Sequence, residues 1–131
     1  MTHLLDTDTA IDILRNRPET LQRYRDVRTS NTAVSVITVF ELYSGCFMGS
    51  QPEDELSRVH DFLERPHELG FTRDDARAAA RVRAELRQAG QSIKDCDVLL
   101  AGHALSRDLT FVTSNERHFS RIPALRTESW R

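Results

Sequence analysis

Thr32-Ala33-Val34-Ser35-Val36-Ile37-Thr38-Val39-Phe40-Glu41-Leu42-Tyr43-Ser44-Gly45 is the stretch on which the fold turns. Its opening, Thr32 to Val36, is a short apolar run rich in β-branched residues, which predicts a buried strand. From near Thr38 the pattern favours a helix that stops at Gly45 or Gly49, with Glu41 in its first turns. A strand running directly into a helix is the repeating junction of an α/β domain.

The same alternation continues in both directions. Leu4-Leu5 predicts a short buried strand, and Thr9 to Asn16 a helix with Ile11 and Leu14 on one side and Pro18 marking its end. Pro52 to Glu64 predicts a helix, because Pro suits its first turn and Leu56, Val59, Phe62 and Leu63 recur at helical spacing. Leu69 to Phe71 is a candidate third strand. Thr72-x-x-Asp75 opens a further helix as a capping box, and this helix runs through Ala76, Ala80, Val82 and Leu86 before Gly90 ends it. Asp97 to Ser106 reads as an apolar, nearly buried helix, Leu109 to Thr113 as a strand and Leu125 to Thr127 as a last edge strand. Strands separated by helices of this length require right-handed crossovers. The expected architecture is α/β, a single domain over residues 1–131 with a mainly parallel central sheet flanked by helices.

Composition narrows the function. A chain of 131 residues supports one core. It has no apolar span of the about 18 residues a membrane helix needs, and Met1 to Asp6 lacks the basic and apolar regions of a secretory signal. A soluble, cytoplasmic protein with no membrane partner is expected. Cys46 and Cys96 suggest free thiols rather than a disulfide framework. The net charge of −2 does not announce a nucleic-acid binder, yet bound divalent cations would reverse the sign of an acidic pocket. Arg73, Arg77 and Arg81, spaced i, i+4, offer either a phosphate track or, more commonly, a solvated helix face. His103 and His118 read as structural or surface residues. Tyr43, Phe47 and Met48 form either a partner-facing surface or core.

Four acidic or amide-bearing stations stand where apolar runs stop: Asp6 with Asp8, Glu41, Asp95 with Asp97, and Asn115 with Glu116. In parallel sheets ligands bind beyond the carboxyl ends of the strands, which is where these stations would gather. Each acid has a structural explanation of its own. Asp6 could end a strand in a turn, Glu41 could complete a capping box with Thr38, and Asp8 and Asp97 could cap helices. The combination, with Asp-x-Asp twice, is what those explanations leave over. Carboxylates from separate elements suit Mg²⁺, which takes oxygen ligands and keeps several waters. Thr7 and Thr113 are placed to hold the acids through their hydroxyl groups.

Together these segments resemble the PIN-domain ribonucleases, specifically the VapC toxins of type II toxin–antitoxin pairs. The resemblance is carried by Leu4-Leu5-Asp6-Thr7-Asp8, by Ser35-Val36-Ile37-Thr38-x-x-Glu41-Leu42-x-x-Gly45, by Gly90-x-x-Ile93-x-x-x-Asp97-x-Leu99-Leu100-Ala101-x-x-Ala104, and by Val112-Thr113-x-Asn115-x-x-His118-Phe119-x-x-Ile122-Pro123-x-Leu125. It implies an endoribonuclease with Asp6, Glu41 and Asp97 around Mg²⁺ or Mn²⁺, joined by Asn115 where many relatives carry Asp. Asp8, Asp95, Thr113 and Glu116 are expected in support. It further implies a cognate VapB-type antitoxin whose tail blocks the acidic pocket, an RNA substrate and a homodimer.

Two other readings compete. Leu4 to Thr9 also fits the haloacid-dehalogenase phosphatases, with Asp6 as a nucleophile forming an aspartyl-phosphate. That class needs a later Lys and a further acidic pair, whereas the sole lysine, Lys94, precedes Asn115. A catalytically inactive RNA- or partner-binding domain is the other reading, and the intact trio Asp6, Glu41 and Asp97 speaks against it.

Overall fold

The computed structural model describes residues 1–131. In chain order the elements are β1 (His3–Leu5), α1 (Thr7–Leu14), α2 (Pro18–Val27), β2 (Thr32–Ser35), α3 (Val36–Met48), α4 (Pro52–Leu63), β3 (His67–Leu69), α5 (Arg73–Gln88), α6 (Asp95–Ser106), β4 (Thr110–Val112) and β5 (Thr127–Glu128). Short 3-10 turns lie at Thr29–Asn31 and Glu116–Phe119. The strands form one sheet in the order β3-β2-β1-β4-β5, and every neighbouring pair is parallel. The chain winds outward from β1 through β2 to β3, then returns to the other side of β1 for β4 and β5. The crevice between β1 and β4 is therefore the switch point of the sheet, the place where ligands bind in open α/β folds.

Strand alternation divides the core in two. Leu4, Ala33 and Phe111 are neighbours in register and pack on one face with Val82, Leu86, Leu100 and Ala104 of α5 and α6. Leu5, Val34 and Val112 pack on the other with Ala10, Ile13, Tyr24, Leu42, Val59 and Phe62 of α1 to α4. Both leucines of β1 are fully buried, and truncating either to Ala removes about 2–5 kcal/mol. Gly102 lets α6 lie against α5: a Cβ there would stand 2.3 Å from the Ala79 Cα.

Several boundaries differ from the sequence expectations. Pro18 opens a helix rather than closing one; it occupies the first turn of α2, where a missing N–H costs nothing. The helix α3 begins at Val36, with Ser35 as N-cap accepting from the Ile37 N–H at 3.0 Å. Thr38 is thus the third helical residue, and Glu41 is not part of a capping box. The predicted box at Thr72 and Asp75 is present. Asp95, not Asp97, is the first residue of α6. The two outer strands lie at His67–Leu69 and Thr127–Glu128, each offset from the predicted Leu69–Phe71 and Leu125–Thr127.

Candidate active site

Asp6 stands where β1 ends at the switch point. Its backbone N–H donates to the Val112 carbonyl of β4 at 3.0 Å, which seats the residue beside the end of that strand. Its side chain is the N-cap of α1, accepting from the Thr9 N–H at 2.7 Å. The residue is nearly inaccessible, 3% exposed. Burial pushes its pKa up to about 6, against the pull of hydrogen bonding to Thr9 and Thr113, and the neighbouring charge of Asp8 pushes the same way.

Asp97 lies in the first turn of α6, half-buried. Burial raises its pKa, and so do the charges of Asp8 and Glu41, while Lys94 and His118 oppose the shift. Glu41, half-buried on α3, accepts a 2.5 Å hydrogen bond at Oε1 from the Thr7 hydroxyl, which also meets the Thr38 hydroxyl at 3.1 Å. Asp8 is exposed in the first turn of α1. The Cys96 thiol is held in its protonated form by burial and by Glu41, and both cysteines are free.

The fourth station is looser. Asn115, half-buried, uses its N–H on the Thr113 hydroxyl oxygen at 3.1 Å. Glu116 turns to the edge of the sheet, where Oε2 accepts from the Thr127 hydroxyl at 3.1 Å. Asp95 is exposed and paired with Arg83 of α5.

Four residues take roles other than those the sequence suggested, Thr38 having been expected to cap with Glu41 and His118 to be a structural or surface residue. Thr38 joins the hydroxyl pair that orients Glu41. Lys94 places a cationic group within electrostatic reach of Asp97, one helical turn before it, and the His118 ring lies within reach of the same carboxyl. Arg131 forms a two-pronged pair with Asp12 of α1, at 2.8 and 3.2 Å, and feels the charges of Asp8 and Asp6. Of these only the Thr38 to Glu41 and Lys94 to Asp97 spacings, i to i+3, were visible in the chain.

Arg73, Arg77 and Arg81 are exposed. Arg77 and Arg81 line a cleft of about 610 Å³ with Asp74, Glu85 and Ile122, apart from the acidic residues described above.

The donor chemistry fits a hard divalent cation. Asp6, Asp8, Glu41 and Asp97 are oxygen donors gathered around one edge, and none forms an ion pair with a protein cation. No three His, Cys, Asp or Glu side chains close on one point at coordinating distance. A cation that keeps several of its waters does not require such closure.

A family model described as PIN domain matches residues 3–125. The tRNA(fMet)-specific endonuclease VapC of Salmonella typhimurium is 38% identical over 127 residues, covering 97% of this chain and 96% of that protein. Ribonuclease VapC2 of Haemophilus influenzae is 37% identical over 131 residues, covering 99% and 98%. Among solved structures, DNA-bound VapBC from Salmonella typhimurium superposes with a TM-score of 0.92 at 36% identity, covering 100% of this chain and 99% of that one. VapBC2 from Rickettsia felis, bound to a promoter DNA fragment, gives 0.90 at 29% identity with full coverage of both chains. These likenesses favour the nuclease over the phosphatase.

Proposed function

The chain belongs to the PIN-domain family, in its VapC branch, and from that premise we propose that it is the ribonuclease toxin of a toxin–antitoxin pair, hydrolysing RNA phosphodiester bonds at the β1–β4 crevice with Mg²⁺ or Mn²⁺. One observation carries the reading. Three carboxylates are buried, Asp6, Asp12 and Asp75; Asp12 and Asp75 are each met by an arginine, and Asp6 by none. A buried carboxylate without a cation is costly unless something from outside supplies the charge.

Asp6, Glu41 and Asp97 would hold the metal, with Asn115 offering an uncharged amide oxygen and Asp8 and Thr113 in support. When bound, a divalent cation supplies Lewis-acid activation of water and stabilises the leaving oxygen. The remaining work falls to the chain. The Thr9 N–H fixes the rotamer of Asp6, the Thr7 hydroxyl fixes Glu41, and Lys94 offsets the negative charge that an RNA phosphate brings. The products are 5′-phosphate and 3′-hydroxyl ends.

The partners follow from two surfaces. A groove of about 290 Å³ between α1, α3 and α4, with Ile11, Leu14, Leu42 and Val59 along it, includes Glu41. It suits the apolar tail of a VapB-type antitoxin that ends on the acidic pocket. Phe40, Phe47 and Met48 project from α3, each more than half exposed, and suit a homodimer contact.

The test is cleavage by antitoxin-free protein of structured RNAs, initiator tRNA first, with and without Mg²⁺. Metal-dependent cutting that disappears in Asp6→Asn and Asp97→Asn is expected. Equal cutting by those variants, or no Mn²⁺ binding by calorimetry near neutral pH, would overturn the mechanism.

A further inference from the structure

Apart from the acidic pocket, three fully buried polar residues meet in the interior: Ser35, Asp75 and His103. His103 Nδ1 lies 2.9 Å from Ser35 Oγ. That oxygen already accepts from the Ile37 N–H, so its own proton is free to go to the imidazole. Nδ1 is then the acceptor and Nε2 carries the hydrogen. Nε2 faces Asp75 Oδ2 at 3.5 Å, with the Gly70 backbone also within its reach, and makes no well-aligned hydrogen bond. Asp75 is itself fixed by the Thr72 capping box and by Arg107, whose Nε and Nη2 each stand 3.1 Å from a carboxylate oxygen. The Phe71 ring packs edge-on against the imidazole, 5.1 Å between centroids. Burial keeps the imidazole neutral, and Arg107 acts in the same direction while Asp75 opposes it.

The trio has the composition of a hydrolytic triad without its access, because its hydroxyl is buried and caps a helix. Its location gives it another use. Ser35 precedes Glu41 by six residues at the head of α3, and His103 follows Asp97 by six residues on α6. The two helices touch, and their chain directions are opposed at this contact: Ser35 meets His103 at one end, and Glu41 faces Asp97 at the other. Six residues of helix span about 9 Å. At the acidic end like charges push the helices apart, and at the other the Ser35–His103 hydrogen bond holds them in register.

The geometry points to His103 as a positioning residue for the metal site: its bond to Ser35 keeps Glu41 and Asp97 close enough to share one cation. This rests on the nuclease reading above. Removing a direct hydrogen-bond partner of a metal ligand weakens metal binding by about 10- to 100-fold, and His103, which acts on the ligands through the helices, is expected at the lower end.

The experiment is Mn²⁺ titration of the full chain followed by electron paramagnetic resonance, with melting temperature measured in parallel. Unmodified protein that binds no Mn²⁺ overturns the nuclease reading and this inference with it. Given binding, His103→Leu should weaken it about tenfold. His103→Asn, whose amide oxygen can accept the Ser35 proton, should recover most of the loss. The His103→Leu/Ser35→Ala pair should lose no more than the worse single variant, as expected of residues acting as one unit. Unchanged affinity in His103→Leu, or an Asn variant no better than Leu at equal melting temperature, overturns the inference while leaving the nuclease intact. Should the Leu variant not fold, nitrogen NMR of the unmodified protein decides. A neutral His103 whose Nδ1 is hydrogen-bonded, as acceptor from the Ser35 hydroxyl or as donor to its oxygen, supports the bond to Ser35, and an Nδ1 free of hydrogen bonding overturns it.

Discussion

Asp6 and Asp75 are both buried, both sit at the start of a helix, and both accept a backbone N–H, yet their carboxyl groups are driven in opposite directions. Burial raises the pKa of each. At Asp6 it prevails, and the pKa reaches about 6. At Asp75 it is overcome by the Arg107 guanidinium, the Thr72 N–H and the hydroxyls of Ser106 and Thr72, which hold the carboxyl well below the usual range. The difference lies in who supplies the cation. Asp75 is neutralised from within the chain and helps to hold α5 and α6 together; Asp6 is left short of positive charge at the switch point of the sheet. A buried acid that the fold does not neutralise is the mark of a site, and one that it does neutralise is the mark of a scaffold.

The largest expected effect lies on the scaffold side. Asp75→Asn leaves Arg107 facing a neutral amide and weakens the capping box, and should cost about 3 kcal/mol. For a chain of this size that is a fall of about 10 °C in melting temperature. The stability Asp75 provides is present above the ordinary aspartate pKa and is lost as pH falls below it. A melting temperature unchanged in Asp75→Asn would remove the contrast with Asp6.

Supplying the missing cation comes next. Mn²⁺ at a hundredfold excess over its Kd should stabilise the protein by about 2.7 kcal/mol, since it binds the folded state alone. The pH dependence has the sign opposite to that of Asp75. Between the ordinary aspartate pKa and about 6, folded Asp6 holds its proton more tightly than the unfolded chain does. The contribution of Asp6 to the stability of the metal-free protein should therefore fall as pH rises through that interval, while the buried, neutral His103 contributes with the opposite sign. Thermal melts from about pH 4 to 7 without Mn²⁺ should show the decline as the difference between the unmodified protein and Asp6→Asn, in which the His103 contribution cancels.

Asp6→Asn sharpens the comparison with a smaller effect. Asparagine caps a helix as well as aspartate does, and it carries no charge to bury. The variant should melt higher than the unmodified protein at neutral pH without metal, by about 1–2 kcal/mol, while RNA cleavage is lost. A variant that is both inactive and less stable would mean that Asp6 is scaffold after all.

Much of this was visible in the chain, and the exceptions have physical causes. The alternation of strands and helices and the capping box at Thr72 and Asp75 follow from local pattern, although α3 starts at Val36 and not near Thr38; that Asp97 lies near Asp8 and Glu41 is a matter of the sheet order and not of local pattern. Helix α2 did not, because Pro18 serves equally as the stop of one helix and the start of the next, and only Thr20 and Tyr24 of α2 are buried. The outer strands were offset because edge strands need little apolar content: His67 and Glu68 are exposed and only Leu69 is buried in β3. Leu125 is in the core but lies in a turn, its N–H bonded to the Ile122 carbonyl. The contact of Ser35 with His103 joins residues 68 positions apart, and no local pattern encodes it.

The smallest effect concerns two acids separated by one residue. Asp95 and Asp97 begin the same helix and look equivalent as Asp-x-Asp, but one helical position is about 100° of rotation, so residues two apart point to different sides. Asp97 turns to Asp8 and Glu41, where its charge is opposed, and Asp95 turns to Arg83 on the exposed surface of α5. An exposed pair of that kind contributes less than about 1 kcal/mol. Asp95→Asn should therefore leave melting temperature and cleavage almost unchanged, whereas Asp97→Asn should abolish cleavage. If Asp95→Asn instead weakened Mn²⁺ binding as much as Asp97→Asn does, the ion pair with Arg83 would have to open in the working enzyme. The acidic edge would then extend one residue further along α6 than the charge distribution of the metal-free protein indicates.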